Sequence, residues 1–494
     1  MRIAHSRTGP DPIARALAAD RLGVPSVVYF VLSAAAPLTV VAGVVTTAYA
    51  VTGITGLPVA FLAVGAVLAL FAVGYVAMAR HMANAGAFYT YVSRGLGRPA
   101  GIAAAWVALI AYNALQVGLY GAFGAAATPL LERWAGVTPP WWAVSLVAWA
   151  LVALLGLMRV DLNGRLLAVL LTAEVAVILL FDAADLVASG PAGLSAQALS
   201  PGGLLVPGVG ALLVIATLGF VGFESAVVFS EESRDPRRTV PVATYTSIAV
   251  IAGLYALSAW AMTVATGPAN IVETARRDGA ETIFVIAGAQ LGPVVVDIAR
   301  VLFVTSLFAA MVSFHNTTSR YFFALGRERV LPAAFGRTRP RTGAPEAGSL
   351  AQSAIGLLVI VLYAVLGLDP LVQLFFYGGA FGGFGVLLLV CTTSIAVIAF
   401  FSREPSGESI ARRLLAPVPA TVALTVMVML AVGNFSTLLG VEEGHPLTWL
   451  LPGVYVLAAV VGLVWAFVLR AGQPAVYSRV GLGAKAATVQ EATR

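Results

Sequence analysis

Residues 216–241 read ATLGFVGFESAVVFSEESRDPRRTVP, and the rest of the chain is understood outward from this stretch. It begins inside an apolar run, carries Gly219 and Gly222 three residues apart, and sets Glu224 at a depth where charge is costly. It leaves through a dense cluster of charges that only water or lipid headgroups tolerate. Broken helix survives in a bilayer only where the freed backbone groups face protein or a wet cavity. A carboxylate beside such a break marks a functional site by default. The alternative is structural, with the glycines forming a close helix-packing surface and Glu224 a capped residue.

Composition identifies the solvent. Of 494 residues, 60% are hydrophobic and 11% charged, with a mean hydropathy of +0.93. A soluble domain carries roughly 25% charged residues, so this is a polytopic membrane protein. The net charge of +6 does not indicate nucleic acid, because the basic residues lie between apolar runs and not on one face. The single Cys391 rules out a disulfide within the chain. Four His and one Cys, widely separated, make no zinc site. With no nucleotide-binding loop and no Asp-rich metal–diphosphate motif, no cofactor is expected. Arg2, Arg7, Arg15 and Arg21 are scattered over a polar stretch without a compact apolar core, so residues 1–24 read as a retained cytoplasmic tail.

A span needs about 20 apolar residues. Twelve stretches qualify: 25–50, 57–79, 99–127, 141–157, 162–180, 207–229, 240–265, 294–323, 349–366, 371–401, 414–439 and 447–469. Placing the N-terminus in the cytoplasm and alternating puts 25 of the 29 Lys and Arg residues on the inside. Only Arg133, Arg276 and Arg277 fall in outside loops, with Arg300 just within a helix. An odd number of spans would scramble this segregation, so twelve spans with both termini cytoplasmic, in the plasma membrane, are expected.

The first span has its own interruption, Ser33-Ala34-Ala35-Ala36-Pro37. Pro37 donates no backbone hydrogen bond and its ring clashes with the preceding turn. The first and sixth spans are thus both broken, five apart, which points to inverted five-helix repeats whose discontinuous helices meet at a midplane substrate site. A simple proline kink is the alternative for the first. The loop 80–99 mixes aromatics, Gly and Arg and reads as interfacial. The more basic 327–345 reads as an orientation and headgroup-contact segment.

Phe220-Val221-Gly222-Phe223-Glu224, followed by Glu231-Glu232-Ser233-Arg234-Asp235-Pro236-Arg237-Arg238-Thr239-Val240-Pro241, resembles the F-x-G-x-E…E-E-x-x-N-P-x-R-x-I-P pattern of the amino acid–polyamine–organocation permeases. Asn316-Thr317-Thr318-Ser319-Arg320 and Arg327-Glu328-Arg329-Val330-Leu331-Pro332, closing at Pro345, resemble that superfamily's N-x-x-x-R…R-D-G-x-L-P…T-P segment. The resemblance covers essentially the whole chain. It implies the leucine-transporter fold, an all-α membrane protein working by alternating access. The first repeat would span 25–187 and the second 207–401. Peripheral helices would follow over 414–469, then a cytoplasmic tail over 470–494.

It also implies roles for residues. Leu218, Gly219, Phe220 and Val221 fall where family members unwind and offer carbonyls to a substrate ammonium, Phe220 being the ring that closes over it. Glu224 matches the Glu implied in gating or proton sensing. At the first break, amino-acid carriers commonly read Gly-Ser-Gly-Ile-Phe, whose amides hold the substrate carboxylate. The matching residues here are Ala35-Ala36-Pro37-Leu38-Thr39, with one donor fewer and both flexible glycines gone.

Other polar residues sit within spans. Glu174 lies midway along the fifth among apolar neighbours, where many relatives place a Lys against the first helix. A carboxylate there needs a proton, water or a partner. It reads as a proton-coupling group or a counter-ion for a cationic substrate, with interhelical hydrogen bonding as the alternative. Tyr112, Asn113 and Gln116 form a polar patch on the third span, and Asn113 is the expected substrate contact. Thr305 and Ser306 are candidates to ligate an ion or stabilise a bend. Tyr377 precedes a glycine-rich stretch and is a candidate cavity residue. His315 is expected to be interfacial, and Asp182, Asp185 and Asp369 solvated.

The expected function is proton-coupled uptake of an amino acid or small organic amine, with the proton, the small-molecule substrate and the bilayer as partners. An amino acid or polyamine exchanger without net proton coupling is the alternative. A membrane-embedded enzyme or scaffold ranks below both, since neither needs two broken helices.

Overall fold

The computed structural model describes residues 17, 20–82, 85–189, 193–404 and 407–483. Arg2, Arg7, Arg15, Lys485 and Arg494 of the orientation argument lie outside them. The chain is all-helical, and among the described residues the sole β-type pairing is an isolated parallel bridge between Leu22 and Ser233. In chain order the main apolar helices are α1 (Val24–Thr52), α2 (Leu57–Ala79), α3 (Arg98–Ala135) and α4 (Trp141–Gly156), then α5 (Val160–Ala188), α6 (Val209–Val227), α7 (Pro236–Thr266) and α8 (Pro293–Arg327). The last four are α9 (Glu346–Leu366), α10 (Pro370–Arg403), α11 (Ala411–Gly433) and α12 (Leu447–Gly472). Eleven of them are long and apolar enough to cross a membrane. The exception, α4, is apolar but has 16 residues, or about 24 Å at 1.5 Å per residue.

Both ends of the described chain meet on one face. Arg21 and Leu22 donate their amides to the Glu232 carbonyl (2.9 and 3.0 Å) beyond the end of α6. Gly481 and Gly483 donate theirs to the Glu328 carboxylate (2.7 and 2.6 Å) just past α8.

Burial separates centre from periphery. In α1 and α6, 83% of the most apolar window is buried, against 28% in α9 and α11 and 22% in α12. Small residues allow the central helices to approach. A Cβ at Gly382 of α10 would stand 2.8 Å from the Ala111 carbonyl oxygen of α3, so any larger residue would force the two apart.

Three expectations about polar segments are corrected by this packing. The segment 80–99 is not interfacial: it contains a helix, Ala87–Leu96, whose Phe88, Tyr89, Tyr91 and Val92 are fully buried between the bundle and the C-terminal segment. His315 is buried in α8 and hydrogen-bonded to Ser349 Oγ of α9 (2.8 Å), because α4 comes so close at Gly156 that no side chain fits between. Asp182 and Asp185 are not solvated; each is 2% exposed, since Asp182 faces α7, where Ser258 Oγ donates to it (2.9 Å), and Asp185, one turn on, meets Gln290 of the helix Thr282–Leu291. Asp369 is exposed and caps the start of α10 at the amides of Leu371 and Val372.

Candidate functional site

The break in α1 follows from its sequence. The residue before a proline is disfavoured in the α region, and Ala36 leaves it for the left-handed region (φ 46°, ψ 67°). The helix restarts with Pro37 in its first turn, where a missing N–H costs nothing. The next amide, Leu38 N–H, has no carbonyl one turn behind it and donates to Glu174 Oε1 of α5 at 2.5 Å. Ser306 Oγ of α8 donates to the same oxygen (2.7 Å) and lies 3.2 Å from Thr39 Oγ1. Glu174 is 1% exposed. A buried carboxylate thus sits on the positive end of a restarted helix, joined to α1 through two hydroxyls.

The break in α6 is made by glycine. Regular helix ends at Leu218, and the chain turns through Gly219–Gly222 before a single 3₁₀ stretch, Phe223–Val227. Gly222 has φ 112°, and a Cβ there would stand 2.7 Å from Ala34 Cβ and 3.1 Å from Ala35 N. The two interruptions therefore touch, and only a glycine fits the contact. Glu224 holds the turn closed: Gly222 N–H donates to its Oε2 (2.9 Å), Tyr112 Oη to its Oε1 (2.7 Å) and Tyr75 Oη to its carbonyl (3.0 Å).

Beside this contact lies a cavity of about 140 Å³. Ala34, Ala35, Ala36, Thr39 and Val40 of α1 form one wall, Ile215, Leu218 and Val221 of α6 another, and Leu115, Leu119, Phe375 and Gly379 of α3 and α10 the rest. No ionisable side chain lines it among the described residues. Its far end, at Thr47, Thr437 and Leu438, lies toward the face opposite the termini.

The termini-bearing side is closed by two ion pairs. Arg320 of α8 bonds both oxygens of Glu232 (2.5 and 2.9 Å), each side chain 1% exposed. Its guanidinium also donates to Asn316 O and Oδ1 (2.8 and 3.0 Å) and lies 4.8 Å from the Phe229 ring centroid. Arg327 bonds both oxygens of Glu231 at 2.7 Å.

Residues 23–473 match the family model described as amino acid permease. The chain belongs to the amino acid permease family. It is 29% identical over 192 residues to cationic amino acid transporter 4 of Homo sapiens, covering 38% of this chain and 28% of that protein. It is 26% identical over 292 residues to a probable GABA permease of Pseudomonas aeruginosa, covering 56% and 59%. It is 30% identical over 169 residues to a protein of Mycobacterium tuberculosis named as an uncharacterized transporter, covering 34% and 35%. The matched regions thus span less than two thirds of these relatives' own lengths. Each is named as a transporter or permease.

Within this permease, five of the residues expected to bind substrate line the cavity: Ala35, Ala36, Thr39, Leu218 and Val221. Pro37 and Leu38 lie behind it, Leu38 with no exposed surface and its amide turned to Glu174. Gly219 and Phe220 are also outside it. Phe220 packs on Phe61 (ring centroids 6.3 Å), because in the turn Leu218 and Val221 share the inner side and Phe220 faces away. Asn113 is half-buried and returns its amide to the Leu109 carbonyl (2.7 Å); it sits about 200° around α3 from the lining residue Leu115. Tyr377 yields to Phe375, Phe376 and Gly379. Tyr112, Tyr75 and the Glu232 to Arg320 pair were not assigned roles from sequence. The two charged motifs carried the last of these in plain view, but not the fact that they meet.

Proposed function

We propose that this permease is a secondary transporter importing a small amino acid or organic amine across the plasma membrane by alternating access, coupled to protons. The observation that carries the reading is the contact between two interrupted helices, Gly222 against Ala34 and Ala35, beside a cavity that leads to one face while buried ion pairs close the other. In this reading α4 is the twelfth crossing and the termini are cytoplasmic. Helices α1–α5 and α6–α10 are inverted repeats of the leucine-transporter type, with α11 and α12 peripheral.

The chemistry of the cavity narrows the substrate. An apolar space of about 150 Å³ accommodates a molecule of benzene's size, and no acidic or basic side chain waits there for a charged substrate side chain. Small substrates with neutral side chains fit best. Coupling runs through Glu174. A proton reaching it through the Thr39 and Ser306 hydroxyls converts a charge-assisted bond to Leu38 N–H into a neutral one, roughly half as strong. The restart of α1 is then free to move relative to α5. Glu224 acts as the clamp on the second break.

The test is uptake into proteoliposomes across a panel of amino acids, monoamines and polyamines, with and without an imposed pH gradient. Accumulation of a small neutral substrate that requires the gradient supports the proposal. Counterflow insensitive to pH would replace it with exchange.

A further inference from the structure

A second site lies on the outer surface of the bundle. Where α8 ends, Arg329 has φ 64°, the left-handed region in which a glycine is at ease and an arginine is strained. The chain is held there by Val330 and Leu331 N–H, both donating to the Leu325 carbonyl (2.9 and 3.2 Å). Arg329 stands where the motif resembled by this segment has glycine. Its side chain is exposed, and among the described residues no acid or hydrogen-bond acceptor engages its guanidinium. Its neighbour Arg327, by contrast, is paired and buried.

Arg329 borders a groove of about 640 Å³ between α3 and α12. Trp106 forms one wall, Trp465 and Leu469 the other, and Leu331 and Pro332 the end nearest the water. Trp465 Nε1 donates to the Val330 carbonyl (3.0 Å), which fixes the indole as a wall. α12 is among the least buried helices, so the groove faces lipid and not the cavity. Two indoles within a few turns of the helix ends mark the level of the headgroups.

We infer that this groove binds an anionic phospholipid of the leaflet on the termini-bearing side, with its phosphate on Arg329 and an acyl chain along Trp106, Leu331 and Leu469. Charge complementarity selects this occupant: an apolar trough open to hydrocarbon, with an unpaired cation at its water-facing end, matches an anionic headgroup attached to a chain. A free anion would leave the trough uncovered. A partner for this charge in the membrane, which a glycine could not serve, offsets the strain of the left-handed arginine.

The test compares wild type with Arg329→Gln, which removes the charge and keeps a side chain at the same φ, and Arg329→Lys, which keeps the charge. Each is reconstituted in phosphatidylcholine nanodiscs containing phosphatidylglycerol, and retained lipid is counted by native mass spectrometry. Wild type and Arg329→Lys are expected to retain phosphatidylglycerol over phosphatidylcholine by about fivefold, and Arg329→Gln to lose that preference while retaining its melting temperature in pure phosphatidylcholine. Equal preference in Arg329→Gln and wild type would overturn the assignment. So would inorganic phosphate raising the wild-type melting temperature as much as phosphatidylglycerol does, through Arg329, since the seat would then belong to a free anion.

Discussion

Glu232→Gln should open the termini-bearing side of the protein. In the structure the Arg320 guanidinium makes two bonds to Glu232, two to Asn316 and a ring contact with Phe229, all out of contact with water. Removing the carboxylate charge leaves the guanidinium anchored by Asn316 and Phe229 with its countercharge gone. Breaking a buried pair from one side costs about 3–5 kcal/mol. If the pair separates and hydrates when this side opens, the cost falls on the closed state alone. At 1.4 kcal/mol per tenfold, the open-to-closed ratio rises by about 10² to 4 × 10³ until opening is complete.

The readout is thiol accessibility. With the single Cys391 replaced by Ser, a Ser33→Cys reporter sits one turn before the α1 break and is 1% exposed in the closed state. Its labelling by a membrane-impermeant maleimide from the termini-bearing side should accelerate in Glu232→Gln. Adding Arg320→Met, which removes the stranded charge, should return part of the loss in stability, because replacing both partners is far less costly than removing one. Unchanged labelling together with a lowered melting temperature would refute the reasoning, since the pair would then be structural in every state.

Glu174→Gln should leave counterflow intact and abolish accumulation driven by a pH gradient, and full accumulation in the variant would remove Glu174 from coupling. Leu218→Trp fills the cavity, whose wall already brings Leu218 Cδ2 within 2.3 Å of where a Cβ at Gly383 would stand; substrate-induced thermal shift should vanish without loss of folding. Gly222→Ala combines a left-handed φ with a 2.7 Å approach to Ala34, and should cost at least about 2 kcal/mol, read as a lower melting temperature and no transport. Glu328, just beyond α8, has its carboxyl pushed above the ordinary range by burial. The folded state therefore holds its proton more tightly than the unfolded chain, and the contribution is present at low pH and lost as pH rises through that raised value. Glu328→Gln should flatten this part of the melting-temperature profile, and its weaker hold on Gly481 and Gly483 should expose the C-terminal segment to proteolysis.

The breaks were legible because their causes are local. Pro37 and the glycines at 219 and 222 act on the chain within one turn, so a run of a few residues discloses them. Partners were not legible, because they are set by packing between segments far apart. Leu38 and Glu174 are 136 residues apart, and Glu232 and Arg320 are 88. Which side of a helix faces the cavity was lost for the same reason: Asn113 drew attention as the polar residue of α3, yet the wall is built from Leu115 and Leu119. The position of a residue along a span also misled. Asp182 and Asp185 lie near the end of α5, where exposure was expected, but a wide bundle buries helix ends as well as middles.

Two facts at the α1 break bear on mechanism together. Pro37 supplies no N–H, and the one at Leu38 is directed away from the cavity, onto Glu174. The positive end of the restarted helix is therefore already neutralised by an internal carboxylate. A substrate carboxylate approaching Ala36 and Thr39 competes with Glu174 for the same field, and two like charges at one helix end repel. Under the proposed coupling this competition is relieved when Glu174 takes up a proton, so an anionic substrate group and a proton are expected to favour each other's binding. A substrate lacking a carboxylate would not feel this competition. Comparing the pH dependence of binding for an amino acid and for the amine of the same side chain measures the coupling directly, and identical dependence would place its origin elsewhere than Glu174.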